Sequence, residues 1–189
     1  MNETPEMQMP TDQKKKEDSF GAVDWLYCIV VACVVAILLF TFFMRTTIVR
    51  GSSMVPTLEE RDLVIVNRIY NQPKYGDIVV LRKASFMEDP IIKRVIATEG
   101  QTVDIDFVEG VVYVDGAALE EPYVNALTYE RESFTEPVTV PEGCVFVMGD
   151  NRNRSTDSRS AQVGCVDTRL IIGRAIFRIA PMNKIGRIG

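Results

Sequence analysis

The feature that most constrains the fold of this chain is the uninterrupted apolar run from Trp25 to Met44, WLYCIVVACVVAILLFTFFM. It contains no charged side chain, and an α-helix of this length, at about 1.5 Å per residue, spans about 30 Å, the thickness of a bilayer's hydrocarbon core. A helix that is apolar on every side for this length is rarely the core helix of a water-soluble protein. We therefore predict a transmembrane helix over residues 25–44.

The charges on either side of this run predict its orientation. Lys14, Lys15 and Lys16 precede it, whereas Arg45 and Arg50 follow it, and this small excess favours a cytoplasmic N-terminus. We expect residues 1–24 to form a disordered cytoplasmic tail and residues 45–189 an extracytoplasmic domain. The alternative is a cleavable signal peptide, but the run is longer than a typical signal-peptide core and no A-x-A site follows it.

The region after residue 44 consists of short β-branched runs separated by glycine-containing turns, which predicts an all-β domain, either a folded β-sheet or a partly open barrel. Val103, Ile105 and Phe107 alternate with acidic residues, as in a half-exposed strand. Residues 117–137 carry few strand signals, and we expect an exposed excursion there. The predicted strands are Leu63–Asn67, Ile78–Leu81, Ile91–Ala97, Thr102–Phe107, Val111–Asp115, Cys144–Met148 and Leu170–Ala180.

The chain contains no histidine, and this absence excludes whole classes of site. A Ser-His-Asp or Cys-His hydrolase and a histidine-ligated metal centre are ruled out. The cysteines form no C-x-x-C pair, so we expect neither a metal nor a cofactor. Cys144 and Cys165 are either a disulfide or two buried thiols. The net charge of −5 argues against a nucleic-acid partner.

A hydrolase without histidine needs another general base, and a serine–lysine pair is one solution. The lysines that follow the apolar run are Lys74, Lys83, Lys93 and Lys184. Lys93 alone interrupts an apolar strand, where alternation puts it on one face with Ile91, Val95 and Ala97. Burial lowers the pKa of a lysine, so Lys93 is either a neutral amine or a strand residue whose ammonium group reaches solvent.

Two polar segments need an explanation beyond folding. Gly51–Leu58, GSSMVPTL, follows the apolar run and is either a turn into the first strand or a loop that carries a nucleophile. Gly149–Arg159, GDNRNRSTDSR, follows an apolar strand and is either a solvated loop or a structured polar site.

Taken together, these features resemble bacterial type I signal peptidase of the single-anchor form, peptidase family S26. The resemblance covers most of residues 20–180. It rests on the anchor, GSSMVPTL, the Gly76–Val79 segment, IIKRVIATEGQTV and MGDNRNRSTDSR, in the family's order.

The resemblance implies a membrane-bound serine endopeptidase of the plasma membrane that removes signal peptides from exported preproteins and cuts after small residues. Its implied partners are preprotein signal peptides, the lipid bilayer and a nearby secretion translocon. Ser53 corresponds to the nucleophile, Lys93 to the general base and Ser155 to the residue that orients the lysine. The backbone N–H of Ser53 would bind the oxyanion.

Other residues have implied structural or binding roles. Asp157 and Arg159 look like the family's ion pair beneath the site, and Gly149 and Asp150 would shape the site. The expected apolar lining for the substrate consists of Val49, Met54, Leu58, Ile91 and Ile92.

The sequence departs from the family pattern at two places. Gly51 stands where some members have a serine whose hydroxyl helps to bind the oxyanion. Asn153 and Arg154 stand where Asp-Asn usually precedes the family's serine. Two alternative functions are a non-catalytic, membrane-tethered β module and a self-cleaving serine–lysine protease.

Overall fold

The computed structural model describes residues 21–83, 86–87 and 89–188. The predicted tail over residues 1–24 lies almost entirely outside the described residues. The first element is helix α1, Ala22–Phe43, which is long and apolar enough to cross a membrane. It ends before Met44 because the backbone of Met44 already pairs with Asn67 as part of a strand.

The rest of the described chain is built from short strands, and this confirms the all-β prediction. In chain order the strands are β1 (Met44–Ile48), β2 (Leu63–Asn67), β3 (Ile78–Leu81), β4 (Ile91–Thr98), β5 (Thr102–Asp106), β6 (Val111–Val114), β7 (Ala117–Ala118), β8 (Val138–Thr139), β9 (Cys144–Met148), β10 (Val166–Asp167), β11 (Ile171–Ala180) and β12 (Gly186–Arg187). Single 3-10 turns occur at Arg152–Arg154, Thr168–Leu170 and Met182–Lys184.

Within the described residues these strands form two antiparallel sheets. The larger has the order β1-β2-β11-β3-β4-β9-β10, with β12 paired to β11, and the smaller has the order β7-β6-β5-β8. The larger order does not close on itself, so the sheet is open and β1 is an edge strand. The β1 strand was not predicted, because its sequence MRTTI looks like a polar flank of the apolar run.

Strand β4 lies near the middle of the larger sheet and joins three apolar clusters. Ile92 packs in a first cluster with β2, while Ile91 and Val95 pack in a second with Val79 and Val147. The β4–β9 register shifts between Val95 and Ala97, and Ala97 joins Ile96 in the third cluster, over the smaller sheet. The predicted face of Lys93 is therefore correct for Ile91 and Val95 but wrong for Ala97, because a bulge breaks the alternation.

The segment over residues 117–137 has few strands, as predicted, but it is not uniformly exposed. Thr128 and Phe134 are buried, and the Phe134 ring packs edge-on against Phe107 and Phe146. These contacts hold the segment against the smaller sheet and bring its polar groups close to the loop at residues 149–159.

Candidate active site

The segment Gly51–Leu58 is a compact turn held from beneath. The Val49 N–H donates to the Asp62 carbonyl and the Leu58 N–H donates to the Met54 carbonyl, at 2.8 and 2.9 Å. Met54 and Leu58 are buried and pack into the core. Ser53, which directly precedes Met54, is half-buried. The apolar side chains therefore anchor the turn and present the Ser53 hydroxyl at its surface.

Lys93 reaches this hydroxyl from the middle of β4. Its Nζ lies 2.7 Å from Ser53 Oγ, and only 4% of the residue is exposed. Burial lowers the pKa of Lys93 to about 8, against opposing contributions from the charges of Asp157, Glu132 and Asp150. The amine is thus neutral in a substantial fraction of molecules just above neutral pH.

The loop at residues 149–159 closes over the back of the Ser53 turn. The Asn151 N–H donates to the Ser53 carbonyl, and Asn151 Nδ2 donates to the Ser52 carbonyl, both at 3.0 Å. A Cβ at Gly149 would lie 2.4 Å from the Ser53 carbonyl oxygen and 2.3 Å from Ser155 Oγ. Only glycine allows the two segments to pack this closely. Sequence reasoning gave Asn151 no role, and its contacts fix the backbone on both sides of the Ser52–Ser53 peptide.

Ser155 lies beside this contact, but the expected hydrogen bond to the lysine is not present. Ser155 Oγ is buried and makes no hydrogen bond of normal geometry within the described chain. It is nevertheless close enough to the Asp157 carboxylate to contribute to the lowered pKa of that group. The hydroxyl therefore lies beside the Asp157 carboxylate and does not contact Lys93 through a hydrogen bond.

Asp157 and Arg159 form a fully buried ion pair, as the resemblance implies. Arg159 Nε and an Nη donate to the two carboxylate oxygens at 2.8 and 2.9 Å, and the Gly149 N–H donates to the same carboxylate at 3.0 Å. Burial raises the pKa of Asp157, but the hydrogen bonds and charge of Arg159 outweigh it and hold the pKa below its ordinary value. The pair also fixes the loop, because Arg159 donates to the carbonyls of Glu130 and Arg152.

Asp150 belongs to a second buried ion pair that the sequence did not predict. Arg94 Nε and an Nη donate to its two oxygens at 2.8 and 2.7 Å, and Thr57 Oγ1 donates to it as well. The Arg94 guanidinium also lies 3.9 Å from the centre of the Tyr123 ring. Asp150 thus ties the Ser53 turn to β4. The sequence places Arg94 in an apolar strand, which indicates that its charge is buried and needs a partner. Nothing in the sequence identifies Asp150 as that partner.

An open cleft of about 420 Å³ passes in front of Ser53 and Lys93. Of the expected substrate-lining residues, Ile91 and Ile92 line it, but Val49, Met54 and Leu58 do not, because they are 0–2% exposed and belong to the core. A second cleft, of about 380 Å³, continues along β1 and shares part of the same lining. The remaining lining of the first cleft comes from Thr47, Ile48, Arg50–Ser52, Val80, Phe86, Met87, Asp89, Pro90, Arg154 and Thr156.

The cysteines and acidic groups add no further site. Cys144 and Cys165 are free thiols, and burial raises the pKa of Cys165. No cluster of three or more potential metal ligands occurs in the part of the chain that the structure describes.

The geometry defines a class of site in which a serine hydroxyl meets a buried lysine amine on a β-sheet scaffold. Residues 22–180 match the model of the family "Signal peptidase, peptidase S26". The chain belongs to this family and is a peptidase of the signal peptidase I type.

Curated relatives agree over most of their length. A probable signal peptidase I-1 of Synechocystis sp. is 38% identical over 172 residues, which cover 85% of this chain and 84% of the relative. Signal peptidase I T of Bacillus subtilis is 33% identical, with 96% and 97% of the two chains covered. The crystal structure of a signal peptidase I from Enterococcus faecalis matches 55% of this chain and 96% of its own, at 30% identity and a TM-score of 0.44.

Proposed function

We propose that this protein is a membrane-anchored serine endopeptidase that removes signal peptides from exported preproteins, with Ser53 as nucleophile and Lys93 as general base. The observation that carries the proposal is the 2.7 Å contact between Ser53 Oγ and a lysine amine that is almost completely buried. In a chain without histidine, such an amine is a suitable acceptor for the serine proton.

Acylation follows from this contact. Neutral Lys93 accepts the Ser53 proton as Oγ attacks the scissile carbonyl carbon, and the tetrahedral intermediate forms. The resulting ammonium then donates the proton to the leaving amine, the C–N bond breaks and the acyl-enzyme remains. A water that loses its proton to the same amine hydrolyses the ester and returns Ser53 to its starting state.

The oxyanion requires a preorganised donor, and the Ser53 N–H is available for this role. It donates to no group among the residues described; Asn151 holds its peptide plane at the Ser52 carbonyl and the next peptide plane at the Ser53 carbonyl. Gly51 has no side chain that would supply a second donor. The backbone N–H therefore carries the main stabilisation of the negative charge that develops in the transition state.

Ser155 is proposed to orient the ammonium form of Lys93. Its buried Oγ makes no hydrogen bond of normal geometry among the described residues and lies close to Gly149 and Asp157. A rotation of the lysine amine after it accepts the Ser53 proton would bring this hydroxyl into use. Ser155 is thus a positioning residue, and Asp157 and Arg159 support the loop that carries it.

The substrate is proposed to bind as an extended strand along residues 47–51 and 91–93, and to be cut after small side chains. β1 is an edge strand, and β4 pairs with β9 only from Arg94 onward, so Ile91–Lys93 lack a strand partner on that side. Both segments border the cleft in front of Ser53. Unpaired strand edges of this kind bind extended peptides through their backbone groups.

Helix α1 is proposed to anchor the enzyme in the bacterial plasma membrane as a single span, with residues 1–24 in the cytoplasm and the peptidase domain, from residue 45 onward, outside. The length and composition of Ala22–Phe43 support an anchor. The lipid bilayer and exported preproteins leaving a translocon are then its partners. Confinement to one membrane surface raises the effective concentration of the substrate.

The proposal is tested with the full chain in detergent and a preprotein that carries a small-x-small site. Wild type is expected to cut once after that site, whereas Ser53→Ala and Lys93→Ala remain folded by circular dichroism but do not cut. A matched control is Ser133→Ala, an exposed serine outside the cleft. Cleavage by the Lys93→Ala variant at the wild-type rate would refute the role of the lysine, and cleavage by Ser53→Ala would refute the nucleophile.

A further inference from the structure

Arg154, one of the two residues at which the last motif departs from its family pattern, lies at the active-site cleft. It is exposed and lines the cleft together with Ser53, Lys93 and Thr156. Its backbone N–H donates to the Asn151 carbonyl at 2.9 Å, but its guanidinium has no hydrogen bond or ion pair with any residue that the structure describes. An arginine with free donors at this place is available to a bound peptide.

The neighbours of Arg154 are held away from the cleft and fix its position. Arg152 points inward, where it donates to the Gly149 carbonyl and pairs with Glu121. Asn153 Oδ1 accepts from the N–H groups of Tyr129 and Glu130, at 2.9 and 3.1 Å. The side chains of Arg152 and Asn153 are thus both held by hydrogen bonds inside the protein. Arg154 is the residue of the 3-10 turn whose side chain faces the cleft.

Among the described lining residues, no acidic side chain pairs with Arg154. Arg50 and Asp89 also line the cleft, but they form an ion pair with each other. Lys93 is neutral in the form that accepts the serine proton. Among the lining residues that the structure describes, Arg154 is therefore the one unpaired charge when Lys93 is neutral.

The two clefts place this charge at one end of the substrate path. The second cleft continues along β1 from Thr47, Ile48 and Arg50 and does not include Ser53, Lys93 or Arg154. Assigning the part of the peptide before the cut to β1 and the second cleft puts Arg154 on the other side of Ser53, where the first residues after the cut would leave the site.

We propose that Arg154 forms an anion-binding subsite that selects substrates with an Asp or Glu side chain among the first three residues after the cut. The proposal rests on the proposed function and deepens it. A guanidinium pairs with a carboxylate through two parallel N–H···O bonds, so the recognition is geometric as well as electrostatic. Because the arginine is exposed, the gain is modest and sensitive to salt.

The test uses the full chain in detergent and a set of peptides with one small-x-small site. Glu, Gln or Lys is placed in turn at each of the three positions before and after the cut, and kcat/KM is measured for each. Wild type is expected to prefer Glu over Gln about 3- to 5-fold at a position after the cut, at low salt, and to lose this preference at about 1 M NaCl. Arg154→Gln is expected to cut both peptides equally, and Arg154→Glu to prefer the Lys peptide.

Arg169→Gln is the matched control, because Arg169 is 88% exposed, contacts Asp167 and does not line the cleft. It is expected to keep the wild-type preference. Equal cleavage of Glu and Gln peptides by wild type, a preference that survives in Arg154→Gln, or a preference confined to positions before the cut each overturns the subsite while leaving the proposed function intact. If wild type cuts none of the peptides, the proposed function fails and the subsite fails with it.

Discussion

The two sides of strand β4 accommodate a buried cation in opposite ways. Lys93 and Arg94 are neighbours in the chain, and both are less than 5% exposed. On one side, Arg94 is held by Asp150, by the Gly76 carbonyl and by the Tyr123 ring. On the other side, Lys93 contacts a serine hydroxyl and, among the described residues, no carboxylate. The first cation is permanently charged and structural, whereas the second is able to lose its proton.

The difference arises from what the nearby carboxylates already bind. Asp157, Glu132 and Asp150 all raise the pKa of Lys93, yet burial outweighs them. Asp157 is bound by Arg159 and Asp150 by Arg94, each through two hydrogen bonds. Burial therefore keeps the pKa of Lys93 low even though three acidic side chains raise it, two of which are paired with an arginine.

Replacing Lys93 by methionine should give the largest difference between the Lys93 side and the Arg94 side of β4, because it should lower activity and raise stability. We expect kcat/KM to fall by about four orders of magnitude, because the proposed general base is lost. Stability is expected to rise at pH 7 by up to about 3 kcal/mol, since the folded pKa of about 8 lies below the unfolded value and charging the buried amine opposes folding.

The same linkage sets the pH at which this gain is seen. Between about pH 8 and about pH 10.5 the unfolded chain keeps a proton on Lys93 that the folded chain has lost, so the stability of the wild type should increase with pH. Lys93→Met should lack this increase. Thermal unfolding in detergent at several pH values measures both effects. A Lys93→Met variant that is less stable than wild type at pH 7 would contradict this account.

Replacing Arg94 by methionine should have the opposite effect on stability. It leaves the fully buried Asp150 carboxylate without its cation, so we expect a loss of about 3–5 kcal/mol. The double variant Arg94→Met/Asp150→Asn removes both charges and should recover part of the loss, which denaturant unfolding measures. A single-variant loss below about 1 kcal/mol would show that the pair is not needed for the fold.

The pH profile distinguishes the two cations in the wild-type protein. In the proposed mechanism only neutral Lys93 accepts the serine proton, so kcat/KM should fall about tenfold for each pH unit below the midpoint. The midpoint is expected at about pH 8, from the lowered pKa of Lys93. Initial rates on a peptide whose own groups do not titrate in this range provide the test, and a flat profile between about pH 6 and about pH 9 argues against a titrating lysine.

The smallest expected effect comes from Glu132, an exposed residue whose charge raises the pKa of Lys93. Glu132→Gln should move the midpoint of the pH profile downward by about 0.3 unit. Glu136→Gln is the control, since Glu136 is exposed and is not among the main charges that act on Lys93. An upward shift, or an equal shift in the two variants, would show that Glu132 does not act through the lysine.

The sequence predicted the Lys93 side of β4 much better than the Arg94 side. A lysine between apolar neighbours marks a buried amine without any knowledge of its partner, and the family resemblance supplied the serine. The partner of Arg94 is 56 positions away in the chain, and several exposed and buried acidic residues were equally plausible. Long-range pairing of this kind follows from the fold and not from local pattern.

Two other differences have local causes. Met54 and Leu58 were expected to line the substrate cleft, but an apolar side chain in a turn looks the same in sequence whether it packs inward or outward. Ala97 changes face because a bulge interrupts β4, and no glycine or proline marks that bulge. The strand bounds of β2, β3 and β9, by contrast, were predicted to the residue, because each is a continuous apolar run between polar turns.

The close packing of Gly149 against the Ser53 turn has a consequence for when, during synthesis and folding, the site is completed. Two groups that hold the backbone beside the proposed nucleophile, Asn151 Nδ2 and the Ser52 carbonyl, are 99 positions apart in the chain. A partly synthesised chain that lacks Asn151 therefore lacks this contact, and in the proposed mechanism Ser53 is not ready to react before the domain has folded. A reagent that labels only activated serines would then count finished molecules, and the time course of labelling would report the last step of folding.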